Sequence, residues 1–262
     1  MWDHFREMVA VARLQPELAR VMPSIHDRRD LLRRMREITA NVPCPHNESH
    51  ILQFIVELLK LPPDTQGVVV EAGCFRGGST AKLSIAASHS GRDLVIFDSF
   101  QGLPANDEVH ERSILGHSIE GWFVEGEFAG RLDEVQRNVA RYGDGDRCRY
   151  VPGWFEDTMP SFNEPIAAAY LDVDLASSTR TCLKHLYPRL APGGFFLSQD
   201  GDFPLVIDAI SDRDFWESEV GYPIPQMSGL GTSKMVMVRK PVEAGSVAVP
   251  SRRRHEPTAV SH

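Results

Sequence analysis

Four carboxylates of the sequence stand where an apolar run ends or meets glycine. They are Glu71, Asp98, Asp172 and Asp200. In an open sheet of parallel strands, ligands bind outside the carboxyl ends of the strands. We therefore expect the four side chains to share one rim, where they would bind a ligand that carries cationic and hydroxyl groups.

The turn after the first apolar run, from Glu71 to Ser79, combines this acid with three glycines. Its Gly-x3-Gly-Gly spacing differs from the GxGxxG pattern that receives a pyrophosphate at a helix N-terminus. A carboxylate at this point would repel a diphosphate and suits the cationic part of a ligand. We predict a cofactor-binding turn, and the alternative is a tight strand-to-helix turn without a ligand. The candidate residues are Glu71, Gly73, Arg76, Gly77, Gly78 and Ser79.

A nucleoside pocket is predicted beside this turn. Asp98 ends the second apolar run, and an acid at that strand end commonly accepts hydrogen bonds from ribose hydroxyls. After the third strand, the aromatic rings of Trp154 and Phe155 either stack on an adenine or belong to the core. The candidate residues are Asp98, Ser99, Gln101, Gly153, Trp154 and Phe155.

Two later strand ends supply the candidate metal and catalytic groups. Asp172 and Asp200 follow strands that we expect to be neighbours, and two such hard oxygen ligands could hold Mg²⁺. Asp172 is alternatively the base for a substrate hydroxyl, whereas we interpret Asp174 as a helix cap.

His110 and His117 lie in a segment that could cover the substrate, and histidine side chains titrate in a useful pH range. We count both as catalytic candidates, with exposed loop histidines as the alternative.

The elements that must position these residues alternate between helix and strand. Amphipathic helices fill the first 60 residues and are interrupted at Pro23, Pro43 and Pro45. Apolar runs then predict strands at 68–72, 94–98, 148–151, 166–172, 193–198 and 234–239, with helices at 79–87, 131–142 and 177–190. This alternation indicates an α/β fold with a mostly parallel sheet, helices on both faces and an N-terminal helical extension.

The composition of the chain bears on which partners the protein binds and on where in the cell we expect it. The chain has 262 residues, 42% of them hydrophobic, and a formal net charge of −8. The acidic balance argues against a nucleic acid as partner, and no apolar run approaches the roughly 20 residues that cross a membrane. Four widely spaced cysteines indicate reduced thiols and a cytoplasmic protein. We divide the chain into a helical cap or lid at 1–62, an α/β domain at 63–241 and a flexible tail at 242–262.

Several segments, in order along the chain, resemble the macrocin and mycinamicin O-methyltransferase family. The matching segments are 71–79, 98–104, 153–158, 172–175 and 186–194. The resemblance implies a Rossmann-like class I fold that binds S-adenosyl-L-methionine. It also implies methylation of a hydroxyl on a sugar or another natural-product scaffold, as in antibiotic biosynthesis, often with Mg²⁺. The partner would then be a small glycosylated molecule, and we expect a homo-oligomer.

One departure from the family pattern concerns the metal. In the family, the acid that matches Asp172 and two adjacent aspartates after the next strand surround the cation. Here that adjacent pair is Gln199 and Asp200, so the implied ligands are Asp172, Gln199 and Asp200, with one negative charge fewer. Three alternatives follow: a metal-independent methyltransferase, a nicotinamide oxidoreductase on a similar sheet, and a protein that binds the methyl donor without catalysis.

Overall fold

The computed structural model describes residues 2–242, with side chains from Arg6 onward. Apart from Val242, the tail predicted at 242–262 lies outside the described residues. The helices are α1 (Trp2–Val21), α2 (Ile25–Asn41), α3 (Glu48–Leu59), α4 (Gly78–Ser90), α5 (Leu132–Tyr142), α6 (Phe155–Thr158), α7 (Ala176–Leu186), α8 (Pro204–Ser211) and α9 (Arg213–Phe215). The strands are β1 (Val68–Ala72), β2 (Leu94–Asp98), β3 (Cys148–Pro152), β4 (Ile166–Leu171), β5 (Leu190–Ser198), β6 (Met227–Ser228) and β7 (Val236–Arg239).

The seven strands form one sheet in the order β3-β2-β1-β4-β5-β7-β6. Strands β1 to β5 are parallel, whereas β7 runs antiparallel to β5 and β6 runs antiparallel to β7. The strand order reverses between β1 and β4, and such a switch point leaves a crevice at the carboxyl ends of the strands. The predicted mostly parallel α/β sheet is therefore confirmed.

Successive strand residues face two separate hydrophobic cores. On β1, Val69 packs with helices α1 to α5, whereas Val70 packs with α7 and α8 on the opposite face. This alternation arises because side chains of a strand point to opposite faces in turn. Both faces are covered, so the strands read as continuous apolar runs, as is usual for parallel sheets.

The N-terminal helices belong to the main core of the protein. Leu31 of α2 and Phe54 of α3 are fully buried in the same cluster as Val69 and Tyr170 of the sheet. The edge of Phe54 meets the ring of Tyr170 at a centroid distance of 5.5 Å. The division at residue 62 stays a prediction, and the hydrophobic core is continuous across it.

Two predicted element boundaries shift because of local backbone chemistry. Helix α7 ends at Leu186 instead of running to residue 190, because Pro188 lacks the N–H that an α-helix needs; the chain makes a tight 3-10 turn instead. Strand β5 consequently begins at Leu190. None of the described helices combines the length and the hydropathy that crossing a membrane requires.

Candidate functional site

A cleft of about 370 Å³ opens at the carboxyl ends of the parallel strands. Its walls come from the loops after β1, β2, β3 and β4, together with the segment between α2 and α3. Among the predicted site residues, those that line it are Gly73, Asp98, Ser99, Gly153, Trp154, Phe155 and Asp172. The structure thus brings candidates from four strand ends together around one space.

Asp98 joins two loops of the cleft. Its Oδ2 accepts a hydrogen bond from the backbone N–H of Cys74 (2.7 Å), and its Oδ1 accepts one from Phe100 (2.6 Å). Burial raises the pKa of Asp98, and these backbone N–H groups act in the opposite direction. Each carboxylate oxygen has a second lone pair, so Asp98 can still accept a hydrogen bond from a ligand in the cleft.

Gly73 allows β1 and β4 to approach each other at the floor of the cleft. It has a φ of 81°, and a Cβ at this position would lie 1.9 Å from the carbonyl oxygen of Asp172. No other residue fits this backbone contact. Phe75, Phe128 and Asp174 also line the cleft with positive φ values of 47°, 58° and 61°. Such non-glycine backbone strain is typical of functional sites.

Glu71 lies beneath the cleft and does not line it. Its side chain is fully buried, and both carboxylate oxygens lack a hydrogen-bond partner among the described residues. Burial raises its pKa to about 8, while the hydroxyls of Ser79 and Thr80 act to lower it. A carboxyl group with this pKa is mostly protonated at neutral pH.

The other residues of the predicted cofactor turn also lie outside the cleft lining. Gly77 precedes α4 in a left-handed conformation, and Gly78 is covered by Cys44, whose Cβ lies 2.7 Å from where a Cβ of Gly78 would be. Arg76 is half-exposed, and its Nε lies 3.8 Å from Oε1 of Glu134. Ser79, the last candidate of the turn, is buried on α4. Gln101, a candidate of the predicted nucleoside pocket after β2, is exposed and also lies outside the cleft lining.

His46, from the segment between α2 and α3, connects two of the predicted metal ligands. Its Nε2 lies 2.9 Å from Oδ2 of Asp172, and its Nδ1 lies 2.9 Å from the side-chain nitrogen of Gln199. The side chain of His46 is only 4% exposed. Burial acts to raise the pKa of Asp172, but the charge and hydrogen bond of His46 outweigh it and hold that pKa below its ordinary value.

Asp174 and Asp200 lie close to Asp172. One oxygen from each of the three carboxylates lies within 4.8 Å of the others. Burial and the charge of Asp172 raise the pKa of Asp200 to about 7, and burial together with Asp200 raises that of Asp174 well above its ordinary value. Asp174 does not cap α7, contrary to our interpretation of the sequence: the first N–H groups of that helix, on Ala176 and Ser177, donate to Glu108.

The predicted magnesium ligands do not fit the geometry. Gln199 is fully buried and does not line the cleft; its side-chain nitrogen faces His46, and its Oε1 has no hydrogen-bond partner among the described residues. Oδ2 of Asp172 is held by the same imidazole, and Oδ2 of Asp200 accepts from the backbone N–H groups of Val173 and Asp174. Mg²⁺ requires hard oxygens in a near-octahedral arrangement around one point, and of the three predicted ligands only Asp172 lines the cleft, whereas Gln199 and Asp200 do not. We therefore derive no chemical step through this cation.

The two candidate catalytic histidines lie away from the cleft lining. His110 packs its ring 4.6 Å from that of Phe123, and its Nε2 lies 3.2 Å from Oε2 of Glu108. It therefore belongs to the packing of the segment that crosses the molecule between β2 and α5. His117 is exposed on the same segment. Neither lines the cleft.

Among the residues of the cleft lining that sequence reasoning missed are His46, Lys234 and Trp122. His46 lies in a proline-broken stretch whose pattern gave no catalytic signal, and Lys234 comes just before the last core strand, where charge is common. Trp122 is 51% exposed although it lines the cleft. The sequence does not show whether such an aromatic side chain is exposed, buried or part of a cleft.

Two curated relatives act on glycosylated natural products. The chain is 34% identical over 190 residues to the 8-demethyl-8-(2,3-dimethoxy-alpha-L-rhamnosyl)-tetracenomycin-C 4'-O-methyltransferase of Streptomyces olivaceus, covering 69% of each chain. It is 34% identical over 166 residues to the mycinamicin III 3''-O-methyltransferase of Micromonospora griseorubida, covering 62% of this chain and 65% of the relative.

Solved structures agree with this likeness. The O-methyltransferase NovP superimposes with a TM-score of 0.58 at 25% identity, covering 73% of this chain and 78% of that one. The calicheamicin methyltransferase CalS11 gives 0.56 at 20% identity, covering 82% of this chain and 93% of the other, which shows the fold alone. The fold is thus the Rossmann-like class I methyltransferase fold. The family model for macrocin O-methyltransferases matches residues 53–225, and the chain belongs to that family of O-methyltransferases.

Proposed function

We propose that this chain transfers a methyl group from S-adenosyl-L-methionine to a hydroxyl of a sugar on a natural-product scaffold. Membership of the family implies the methyl donor, and the hydroxyls named for the two relatives lie on glycosylated molecules. The observation that carries the proposal is that Asp98 and Asp172, which follow different strands, line the same cleft.

The cofactor half of the cleft comprises Gly73, Asp98, Gly153 and Trp154. Asp98 would accept hydrogen bonds from the ribose hydroxyls, and Trp154 offers an apolar face to the adenine. Gly73 keeps the backbone clear of a Cβ at the floor. When bound there, the donor supplies an electrophilic methyl carbon on a sulfonium group.

The acceptor half comprises His46, Asp172, Asp174 and Lys234. Asp172 is our candidate for the base that takes the proton of the acceptor hydroxyl. Because Oδ2 of Asp172 is hydrogen-bonded to His46, its other oxygen is held in one orientation toward the cleft. His46 therefore positions Asp172. A base in a fixed orientation contributes to methyl transfer by aligning the acceptor and by accepting its proton.

The aromatic wall of the cleft suits an amphipathic acceptor. Trp122, Phe123 and Phe128 all line it from the segment between β2 and α5. A sugar ring has apolar C–H faces that pack on such rings, while its hydroxyls remain free to reach the carboxylates. A cytoplasmic location and a homo-oligomeric assembly are further proposals. The proposed methyl transfer does not include magnesium, because Gln199 and Asp200 do not line the cleft.

The test combines binding and turnover. Calorimetry should give saturable binding of S-adenosylmethionine and none of NADH. Incubation with deoxysugar-bearing polyketides should then give methylated product by mass spectrometry. Binding of NADH instead would support an oxidoreductase. Binding of the methyl donor without product, over a broad panel of glycosylated acceptors, would support a protein that has lost catalysis.

A further inference from the structure

Lys234 is the cationic side chain in the acceptor half whose partner the fold does not supply. Its backbone carbonyl accepts a hydrogen bond from the N–H of Gly201 (2.8 Å), which fixes it beside the turn between Asp200 and Asp202. The two segments pack closely: a Cβ on Gly201 would lie 3.0 Å from the carbonyl oxygen of Lys234 and 2.2 Å from the side chain of Val236. The backbone of Lys234 is therefore held by the turn that follows β5.

The ammonium group of Lys234 is not used in holding the fold. It is half-buried and lines the cleft, and it lies 5.7 Å from the ring centroid of Phe203. Among the residues that the structure describes, no side chain or carbonyl forms a hydrogen bond or an ion pair with it. Its charge opposes the effect of burial on four carboxyl groups, Asp172, Asp174, Asp200 and Asp202, although burial still raises the pKa values of the last three.

The chain itself supplies positive charge to the three clustered carboxylates, from His46 beside Asp172 and from Lys234. A divalent cation would normally neutralise such a group. Here Gln199 stands in place of one of the two adjacent aspartates of the family, which removes a negative charge, and a lysine ammonium lines the same cleft. A metal ion placed among Asp172, Asp174 and Asp200 would be repelled by Lys234.

We propose that Lys234 replaces the divalent cation, so that methyl transfer by this chain is metal-independent. This inference rests on the proposed function. Lys234 donates a hydrogen bond to the acceptor oxygen and stabilises the negative charge that develops there. The acceptor oxygen forms the new C–O bond as the C–S bond of the donor breaks, and that electron pair stays on sulfur. The hydroxyl proton goes to Asp172, and from there to water.

The first experiment measures cation binding without any acceptor. Mn²⁺ is titrated into the protein saturated with S-adenosylhomocysteine, and bound metal is followed by electron paramagnetic resonance. The wild type should bind no Mn²⁺ at concentrations below about 1 mM. Lys234→Met should bind one equivalent of Mn²⁺ with a Kd about tenfold or more lower than that of the wild type, because the carboxylates have lost a neighbouring positive charge. Lys234→Arg keeps the charge and should behave as the wild type.

The matched control for this titration is Lys184→Met. Lys184 pairs with Glu219 on the surface at 3.0 Å, so its removal should leave Mn²⁺ binding unchanged. Circular dichroism melts of each variant verify that it is folded. One equivalent of Mn²⁺ bound tightly by the wild type would overturn the proposal, and so would a folded Lys234→Met variant that gains no affinity.

The second experiment measures turnover on an acceptor that the wild type methylates. EDTA should leave kcat unchanged, and Lys234→Met should lower kcat by about 10²–10³-fold, as loss of one preorganised donor to a developing oxyanion does. Lys234→Arg should recover part of that loss. If EDTA abolishes turnover, Lys234 does not replace a metal. If no acceptor is methylated, the proposed function fails, and the Mn²⁺ titration still decides the cation question.

Discussion

The two halves of the cleft are built in different ways. The proposed cofactor half is made of turns that directly follow their strands, and its carboxylate Asp98 is fixed by two backbone N–H groups. The acceptor half joins side chains from distant segments, such as His46 and Asp172, whose charges balance one another. Backbone turns leave a local pattern in the sequence, whereas charge balance across the fold leaves none. The difference suggests that cofactor binding and catalysis can be disrupted separately.

The largest effect is expected at Asp172 in the acceptor half. Asp172→Asn should lower kcat by about 10²–10⁴-fold, because it removes the proposed base. The affinity for S-adenosylhomocysteine, measured by calorimetry, should stay within about twofold of the wild type. A variant with wild-type turnover would remove Asp172 from the catalytic step, and a large loss of cofactor affinity would mean that the halves are not separable.

Asp98 in the cofactor half should show the opposite behaviour. Asp98→Ala removes a charged hydrogen-bond acceptor, worth about 1.5–3 kcal/mol per bond, so the Kd for the donor should rise by about 10–100-fold. At saturating donor, kcat should change far less. Gln101→Ala is the matched control, since Gln101 is an exposed member of the same loop outside the cleft lining. Equal effects in both variants would indicate a general loss of loop structure.

Trp122 tests whether the aromatic wall belongs to the proposed acceptor half of the cleft. Trp122→Ala should raise KM for the acceptor by about 5–10-fold, the loss expected for one aromatic contact, with donor affinity unchanged. Steady-state kinetics with each substrate varied in turn would measure both constants. Trp122→Phe should retain most of the affinity, and an unchanged KM in the alanine variant would place the acceptor elsewhere.

Glu71 should have the smallest effect on binding and a measurable effect on stability. Its pKa rises from 4.5 to about 8 on folding, so between these values the unfolded chain releases a proton that the folded chain keeps. The free energy of unfolding should therefore fall as the pH rises from about 4.5 to about 8, by an amount on the order of a few kcal/mol. Urea denaturation of the wild type and of Glu71→Gln across this range would measure it.

The Glu71→Gln variant mimics the protonated carboxyl group and should lose most of that pH dependence. Its affinity for the methyl donor should match that of the wild type, because Glu71 lies outside the cleft lining. A large loss of donor affinity would instead restore the prediction that this carboxylate contacts the cofactor.

The sequence predicts the fold because the fold depends on local pattern, and the same pattern points to some residues of the proposed cofactor half. Apolar runs and glycine turns mark the strand ends, so Gly73, Asp98 and Gly153 are found at the cleft. Glu71 shows the limit of this approach: its place in the chain suggests a ligand, but strand alternation turns its side chain into the core.

The acceptor half could be predicted only in part. Asp172 stands at a strand end and was found, but His46 and Lys234 reach the cleft through contacts between segments far apart in the chain. His110 shows the reverse error, because a histidine in a covering segment can equally be a packed side chain, as it is beside Phe123. No local pattern distinguishes these cases.

The segment between α2 and α3 brings part of the N-terminal helical region to the cleft. Pro45 and His46 form one wall of the cleft, while Cys44 packs on the start of α4 at Gly78. A ligand that binds only the assembled wall stabilises the folded chain by about 2.7 kcal/mol at a concentration of one hundred times Kd. Helices α1 and α2 share one hydrophobic core with α3, so a ligand of this wall would stabilise them together with the rest of the folded chain, although neither lines the cleft.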